Sequence, residues 1–119
     1  MRPSFLLIVT TLITIPEAYT QESQSGEFKA DISSEGWTLA SGAGERTHIV
    51  FVKFGAPFKA EPSIAISVTD YQATSGRDGS VYLAVTSENV TKDGFVVKIQ
   101  TWSESKVTKV AGSWTASSR

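Results

Sequence analysis

The sequence predicts an all-β fold, a six-stranded antiparallel β-sandwich. Three observations predict it. Runs of β-favouring residues alternate apolar and polar, most cleanly in SIAISVTD, Ser63 to Asp70, and GFVVKIQTW, Gly94 to Trp102. Turn residues separate these runs at hairpin spacing. No stretch beyond residue 20 carries a convincing helical period.

The elements follow in order. Glu27 to Ile32 is the first strand. Residues 33–46 contain Gly36, Trp37, Gly42 and Gly44 and read as a long loop. Thr47 to Phe54 (THIVFVKF) is strongly β-forming. Pro57 and Pro62 punctuate the next connection, because proline donates nothing to a sheet ladder. In Ser63 to Asp70, Ile64, Ile66 and Val68 share one face. Tyr71 to Gly79 reads as a loop ending in Asp78-Gly79, a pair suited to a tight turn. The fourth strand turns Val81, Leu83 and Val85 inward and Tyr82, Ala84 and Thr86 outward. Lys92-Asp93-Gly94 makes another turn into the fifth strand. There Phe95, Val97, Ile99 and Thr101 form one face, and Val96, Lys98, Gln100 and Trp102 the other. A turn over Ser103 to Ser105 leads into the last strand, Lys106 to Ala116. A sandwich this small leaves edges exposed, which packing between subunits relieves.

A chain of 119 residues predicts one domain. Residues 1–20 carry Arg2, an apolar run from Phe5 to Ile15, the breaker Pro16 and small residues near Thr20. This is the pattern of a secretory signal, too short to span a bilayer comfortably. The expected organisation is therefore a signal over 1–20, a loose arm over 21–25 and a sandwich domain over 26–119. The expected product is secreted, with no membrane insertion after cleavage. It has no cysteine, so stability rests on the core and on association. A net charge of −1 is not basic enough for a nucleic-acid partner. Asn89-Val90-Thr91 has the pattern of a glycosylation acceptor.

An enzymatic reading finds little support. There is no cysteine nucleophile, and the single histidine, His48, lies in a strand without visible triad partners. No phosphate loop or nucleophile elbow occurs, and the acids lie mostly in turns rather than as a paired catalytic set. Asp70 and Asp78 bracket one loop but lack the dense spacing of calcium loops, so no metal and no cofactor are expected. The tryptophans say more. Trp37 and Trp114 are expected in the core. Trp102 falls on the wetter face, beside a polar turn. Parity leaves two readings open, a cover for an edge or subunit contact and a wall of a ligand pocket. A sugar suits such a pocket, because its C–H face packs on an indole while its hydroxyls need polar partners.

Several features also occur in a familiar order. Phe54-Gly55-Ala56-Pro57-Phe58 precedes Pro62 and Ile64-Ala65-Ile66-Ser67-Val68. Asn89-Val90-Thr91, Gly94-Phe95 and Thr101-Trp102 follow, then Ser105-Lys106-Val107 and Gly112-Ser113-Trp114-Thr115-Ala116. In this order the chain resembles the H-type lectin domain family, over roughly Ser25 to Ser117. The resemblance implies a six-stranded sandwich assembling as a homotrimer. It implies binding of N-acetylgalactosamine, galactose or related glycans, on glycoproteins or cell surfaces, in clefts between protomers. Carried over by position, the cleft tryptophan is Trp102 and the position after it, often histidine, is Ser103. The later aromatic position is Thr108, the strand arginine is Tyr82, and the acidic loop residue is Glu45, beside Gly44. Tyr82 does not replace an always-charged fork of donors, although Arg77 lies a few residues earlier. These departures keep an alternative in view, an extracellular structural or protein-interaction module with a degenerate sugar site.

Overall fold

The computed structural model describes residues 22–119. The expected signal over residues 1–20 lies outside the described residues. Six strands form the domain: β1 (Ser23–Asp31), β2 (Arg46–Lys53), β3 (Ser63–Thr74), β4 (Leu83–Glu88), β5 (Gly94–Thr101) and β6 (Lys106–Ser117). They make two three-stranded antiparallel sheets, ordered β1-β6-β3 and β2-β5-β4. This is the all-β sandwich that the alternation predicts. Among the described residues, no helix is long and apolar enough to cross a membrane.

The alternation of β5 translates directly into packing. Phe95, Val97, Ile99 and Thr101 are all buried. From the opposite sheet, Phe28, Ala30, Val107, Val110, Trp114 and Ala116 meet them. Four aromatic rings pack at the end of the sandwich where β5 begins. Phe54 lies 5.0 Å from Phe58 and 5.8 Å from both Phe95 and Trp114, and Phe95 and Trp114 meet edge-on at 5.4 Å. Such pairs add about 0.5–1.5 kcal/mol each beyond their burial. Trp37 is half-buried against this core and donates its indole N–H to Val107 O at 2.9 Å. His48 packs on Trp37 at 4.9 Å, a structural contact in a strand.

The close approach of the strands requires glycine at Gly112. A Cβ there would lie 2.7 Å from Phe28 Cζ and would press on the Ser67 carbonyl, which belongs to the facing strand β3. Overpacking typically costs about 1–3 kcal/mol, and backbone yields less than a side chain. Gly112→Ala is expected to destabilise the domain by roughly 3 kcal/mol or more. Chemical denaturation measures this, and a loss below about 1 kcal/mol would contradict the packing described here.

Several sequence expectations need correction. Residues 23–25, expected in a loose arm, belong to β1 and pair with Thr115 to Ser117. β3 runs on through Thr74 instead of ending at Asp70. Its pairing with β6 shifts between Val68 and Asp70, so the inward parity passes from Ile64, Ile66 and Val68 to Tyr71 and Ala73, and Val68 at the open seam stays 41 % exposed. Val81, expected inward, precedes β4 and is 39 % exposed. Asp78-Gly79 does not close a hairpin, because β3 and β4 lie in different sheets. The turn there runs from Gly76 to Gly79, with Gly79 N–H donating to Gly76 O at 3.1 Å and Gly79 at φ +77°.

Candidate functional site

β5 lies in one sheet and β6 in the other, so residues 102–105 cross between the sheets at one end of the sandwich. That crossing determines where Trp102 stands. The strand ends at Thr101, whose side chain is fully buried, and the next side chain emerges from the end of the fold. Trp102 is 38 % exposed. Its ring lies 5.3 Å from that of Tyr82, with the planes tilted by 31°.

Buried hydroxyls hold Tyr82 beside it. Thr101 Oγ1 donates to Tyr82 O at 2.6 Å. Ser105 Oγ accepts from Tyr82 N–H at 2.9 Å and donates to Ser80 O at 3.3 Å. Both hydroxyls are fully buried, so each is expensive to leave unpaired and each fixes the backbone it meets. The two residues flanking Trp102–Glu104 therefore clamp the segment that carries Tyr82.

The other wall comes from the long loop. Ser103 adopts φ +61°, an uncommon conformation for a residue with a side chain. Its carbonyl accepts Gly44 N–H at 2.8 Å and Arg46 Nη2 at 3.1 Å. Arg46 also donates to Gly44 O (2.9 Å), Ser41 O (2.8 Å) and Ser105 O (2.9 Å). Lys106 Nζ donates to Gly42 O. One guanidinium thus ties residues 41–44 to the Ser103–Ser105 turn. Glu45 is exposed between two anchored neighbours, Gly44 and Arg46.

Charged groups rim the aromatic pair. Tyr82 donates its hydroxyl to Asp78 Oδ2 at 2.7 Å, and Ser80 N–H donates to Asp78 Oδ1 at 3.0 Å. The Ser80 amide and then the Tyr82 hydroxyl hold the Asp78 carboxyl below its ordinary value. The same carboxylate, first by hydrogen bonding, raises the Tyr82 hydroxyl above its own. Glu104 accepts Arg77 N–H at 3.0 Å and lies 3.7 Å from Arg77 Nε. Arg77, distant in sequence, is therefore carried to the turn that follows Trp102.

The pH consequence has a definite sign. A carboxyl with a depressed folded-state pKa contributes its stabilisation above the unfolded value, and loses it as pH falls through the folded value. The Asp78–Tyr82 contact should therefore persist from neutral pH down to about 4, the ordinary aspartate range. Below that it should weaken as Asp78 protonates. Titrating tryptophan fluorescence in native protein and in Asp78→Asn tests this. A transition near neutral pH, or one unchanged in Asp78→Asn, would count against the contact.

Of the sequence-derived candidates, Trp102, Ser103, Tyr82, Gly44 and Glu45 come together at this end. Thr108 does not join them within one chain. Its hydroxyl donates to Gln72 O at 3.3 Å and its carbonyl accepts from Ile32 N–H, both on the β1-β6-β3 side. Sequence reasoning missed Arg46 and Asp78 as parts of the site, and placed Ser105 there only as the end of the polar turn after Trp102. The one signal for Arg46 was an arginine directly after Gly44-Glu45. Among the described residues, no group of three or more His, Cys, Asp or Glu side chains gathers to hold a metal. Asp70 instead bonds Lys109 at 2.7 Å.

An open apolar cleft of about 330 Å³ is lined by Val68, Tyr71, Val81, Leu83 and Val85. It lies along the seam where the edge strands β3 and β4 of the two sheets approach. Val81 and Leu83 flank Tyr82 in the chain, but alternation turns their side chains to the opposite face from its ring.

Comparison with known proteins points the same way. A family model described as the H-type lectin domain matches residues 49–117. The chain is 33% identical over 94 residues to one of the Discoidin-1 polypeptides of Dictyostelium discoideum, covering 76% of this chain and 37% of that protein. It is 25% identical over 87 residues to the ATP synthase subunits region ORF 7 product of Fuscovulum blasticum, covering 70% of each. The solved structure of wild-type discoidin II from Dictyostelium discoideum superposes with a TM-score of 0.74 at 27% identity, covering 87% of this chain and 39% of that one. The chain thus spans less than two-fifths of the length of these discoidins.

Proposed function

The chain belongs to the H-type lectin domain family, and from that premise we propose that it is a secreted, non-catalytic, carbohydrate-binding lectin. The observation that carries this reading is the Tyr82–Trp102 pair, half exposed at the end of the sandwich within a rim of hydrogen-bonding groups. A pyranose ring lays its C–H face on Trp102. Its hydroxyls bond to Glu45, to Ser103 and to the charged groups at Asp78 and Arg77. Glu45 acts as an acceptor, while Ser103 and Tyr82 line the cleft and tune specificity.

Assembly as a homotrimer through the apolar seam deepens this shallow site. The seam residues Val68, Tyr71 and Val81 are too exposed to gain much in a lone chain. Thr108 belongs to the cleft only if a neighbouring protomer supplies it. Three linked sites would gain about a hundredfold or more in avidity on a dense glycan surface.

The ligand class is N-acetylgalactosamine, galactose or a related sugar, with weaker preference for N-acetylgalactosamine than the family pattern implies. Tyr82 occupies the arginine position and commits its hydroxyl to Asp78. A glycan array on the secreted protein, with sedimentation to measure the assembly, tests the whole reading. Strong N-acetylgalactosamine binding that survives Tyr82→Ala would contradict the specificity. Agglutination that no simple sugar inhibits would favour the alternative, an extracellular structural module, which the distant Thr108 supports.

A further inference from the structure

The β4–β5 turn carries a second feature that the sugar site does not use. Asn89 stands in the left-handed region at φ +53° and is exposed. It opens Asn89-Val90-Thr91, an acceptor triplet whose third residue supplies a hydroxyl. Thr91 Oγ1 sits within a compact turn, accepting from Asp93 and Gly94 N–H. Asn89 lines a shallow depression of about 430 Å³ together with Phe51, Val96 and Thr91. Phe51 is 82 % exposed, the most exposed large apolar side chain among the described residues. Register explains the proximity. Val96 pairs with Phe51 on one side and with Glu88 on the other, and Asn89 follows Glu88. Phe51 and the start of the turn are thus two strand spacings apart, roughly 10 Å.

We infer that Asn89 is an N-glycosylation site and that the first sugars of its glycan cover Phe51. The inference rests on passage through a secretory pathway, which the proposed secretion supplies. The donor is a polyprenyl-pyrophosphate-linked oligosaccharide. Asn89 Nδ2 attacks the anomeric carbon, the bond from that carbon to pyrophosphate oxygen breaks, and the lipid pyrophosphate leaves with the electron pair. Nδ2 loses one proton to the transferase's base. The C–H face of the attached sugar then packs on the Phe51 ring. The turn lies at the start of β5 and Trp102 follows its end, about eight residues or roughly 25 Å away. A glycan on Asn89 therefore leaves the aromatic site of the same chain open.

Expressing the full chain in a eukaryotic secretory host tests this. The secreted protein should shift to lower mass with peptide N-glycosidase F. Asn89→Asp, which tolerates the left-handed turn, should run at the lower mass untreated and bind sugar unchanged. Removing the glycan should raise binding of an anilinonaphthalene sulfonate dye several-fold, and Phe51→Ser should cancel that rise. Secretion without modification at Asn89, or no secretion, would overturn the site. Glycosylation with unchanged dye binding would overturn the cover, as would a Phe51→Ser variant of lower assembly mass, which would assign Phe51 to a second copy.

Discussion

Trp102→Ala should weaken sugar binding about tenfold at each site while leaving a folded domain. The ring is absent from the core, so no cavity forms within the sandwich. What is lost inside the protein is the contact with Tyr82, about 0.5–1.5 kcal/mol, which lowers the melting temperature by several degrees. What is lost toward the ligand is larger in effect. A ring face covering a sugar removes apolar area from water at about 25 cal/mol per Å², so roughly one to two kcal/mol is a fair scale. That is roughly fivefold to thirtyfold per site, and every site of an oligomer loses it together, so avidity on a glycan surface falls further. Trp102→Phe retains a smaller apolar face and should recover part of the binding. Calorimetry with a simple sugar and a glycan array supply the readouts. If Trp102→Ala bound with unaltered affinity, the indole would not be the platform.

Arg46→Ala should damage both stability and binding, by a different route. At the far end of the domain, four packed aromatic rings hold the sheets together. At the site end, Arg46 makes four hydrogen bonds, to the carbonyls of Ser41, Gly44, Ser103 and Ser105, that tie the long loop to the turn between the sheets. Hydrogen bonds to a charged group contribute about 1.5–3 kcal/mol when shielded and less when exposed. Since most of these are exposed, a total near about 2 kcal/mol is expected. The Ser103 turn then loses both the guanidinium and, as the loop detaches, the Gly44 amide. Glu45 loses its fixed position, and affinity should drop several-fold with Trp102 still in place. Arg46→Lys should not rescue, because a single ammonium lacks the planar fork that reaches several carbonyls at once. Urea denaturation and sugar titration measure the two effects. Wild-type affinity in Arg46→Ala would show that the loop plays no part in binding.

The fold was largely legible because a strand's period of two marks its buried face residue by residue. β5 shows this well, since every residue on its predicted inner face is buried, although Val96 on the other face is buried too. Where the period breaks, reading from sequence fails. The irregularity after Val68 reverses which side chains face inward, and no local residue announces it. The extension of β3 to Thr74 depends likewise on β6 lying alongside to pair with it. Of the site, the chemistry of Trp102 was visible from parity and its polar neighbours. Its partners were not. Tyr82 lies twenty positions earlier, and the bonds from Arg46 to the turn span 57 and 59 residues.

By itself, then, the sequence determined the local alternation, the turns, the absence of cysteine chemistry and the placement of an indole just past a strand end. These depend on neighbours within a few residues, where covalent geometry dictates which way each side chain points. Tertiary structure alone decided that β5 and β6 belong to opposite sheets. The pairing of β4 with β5, Leu83 opposite Thr101, sets Trp102 beside Tyr82, while the crossing to β6 lets Glu104 meet Arg77 and docks the Gly44 loop on Ser103. Those encounters arise from which strands pair and how the two sheets pack, and both are properties of the whole chain.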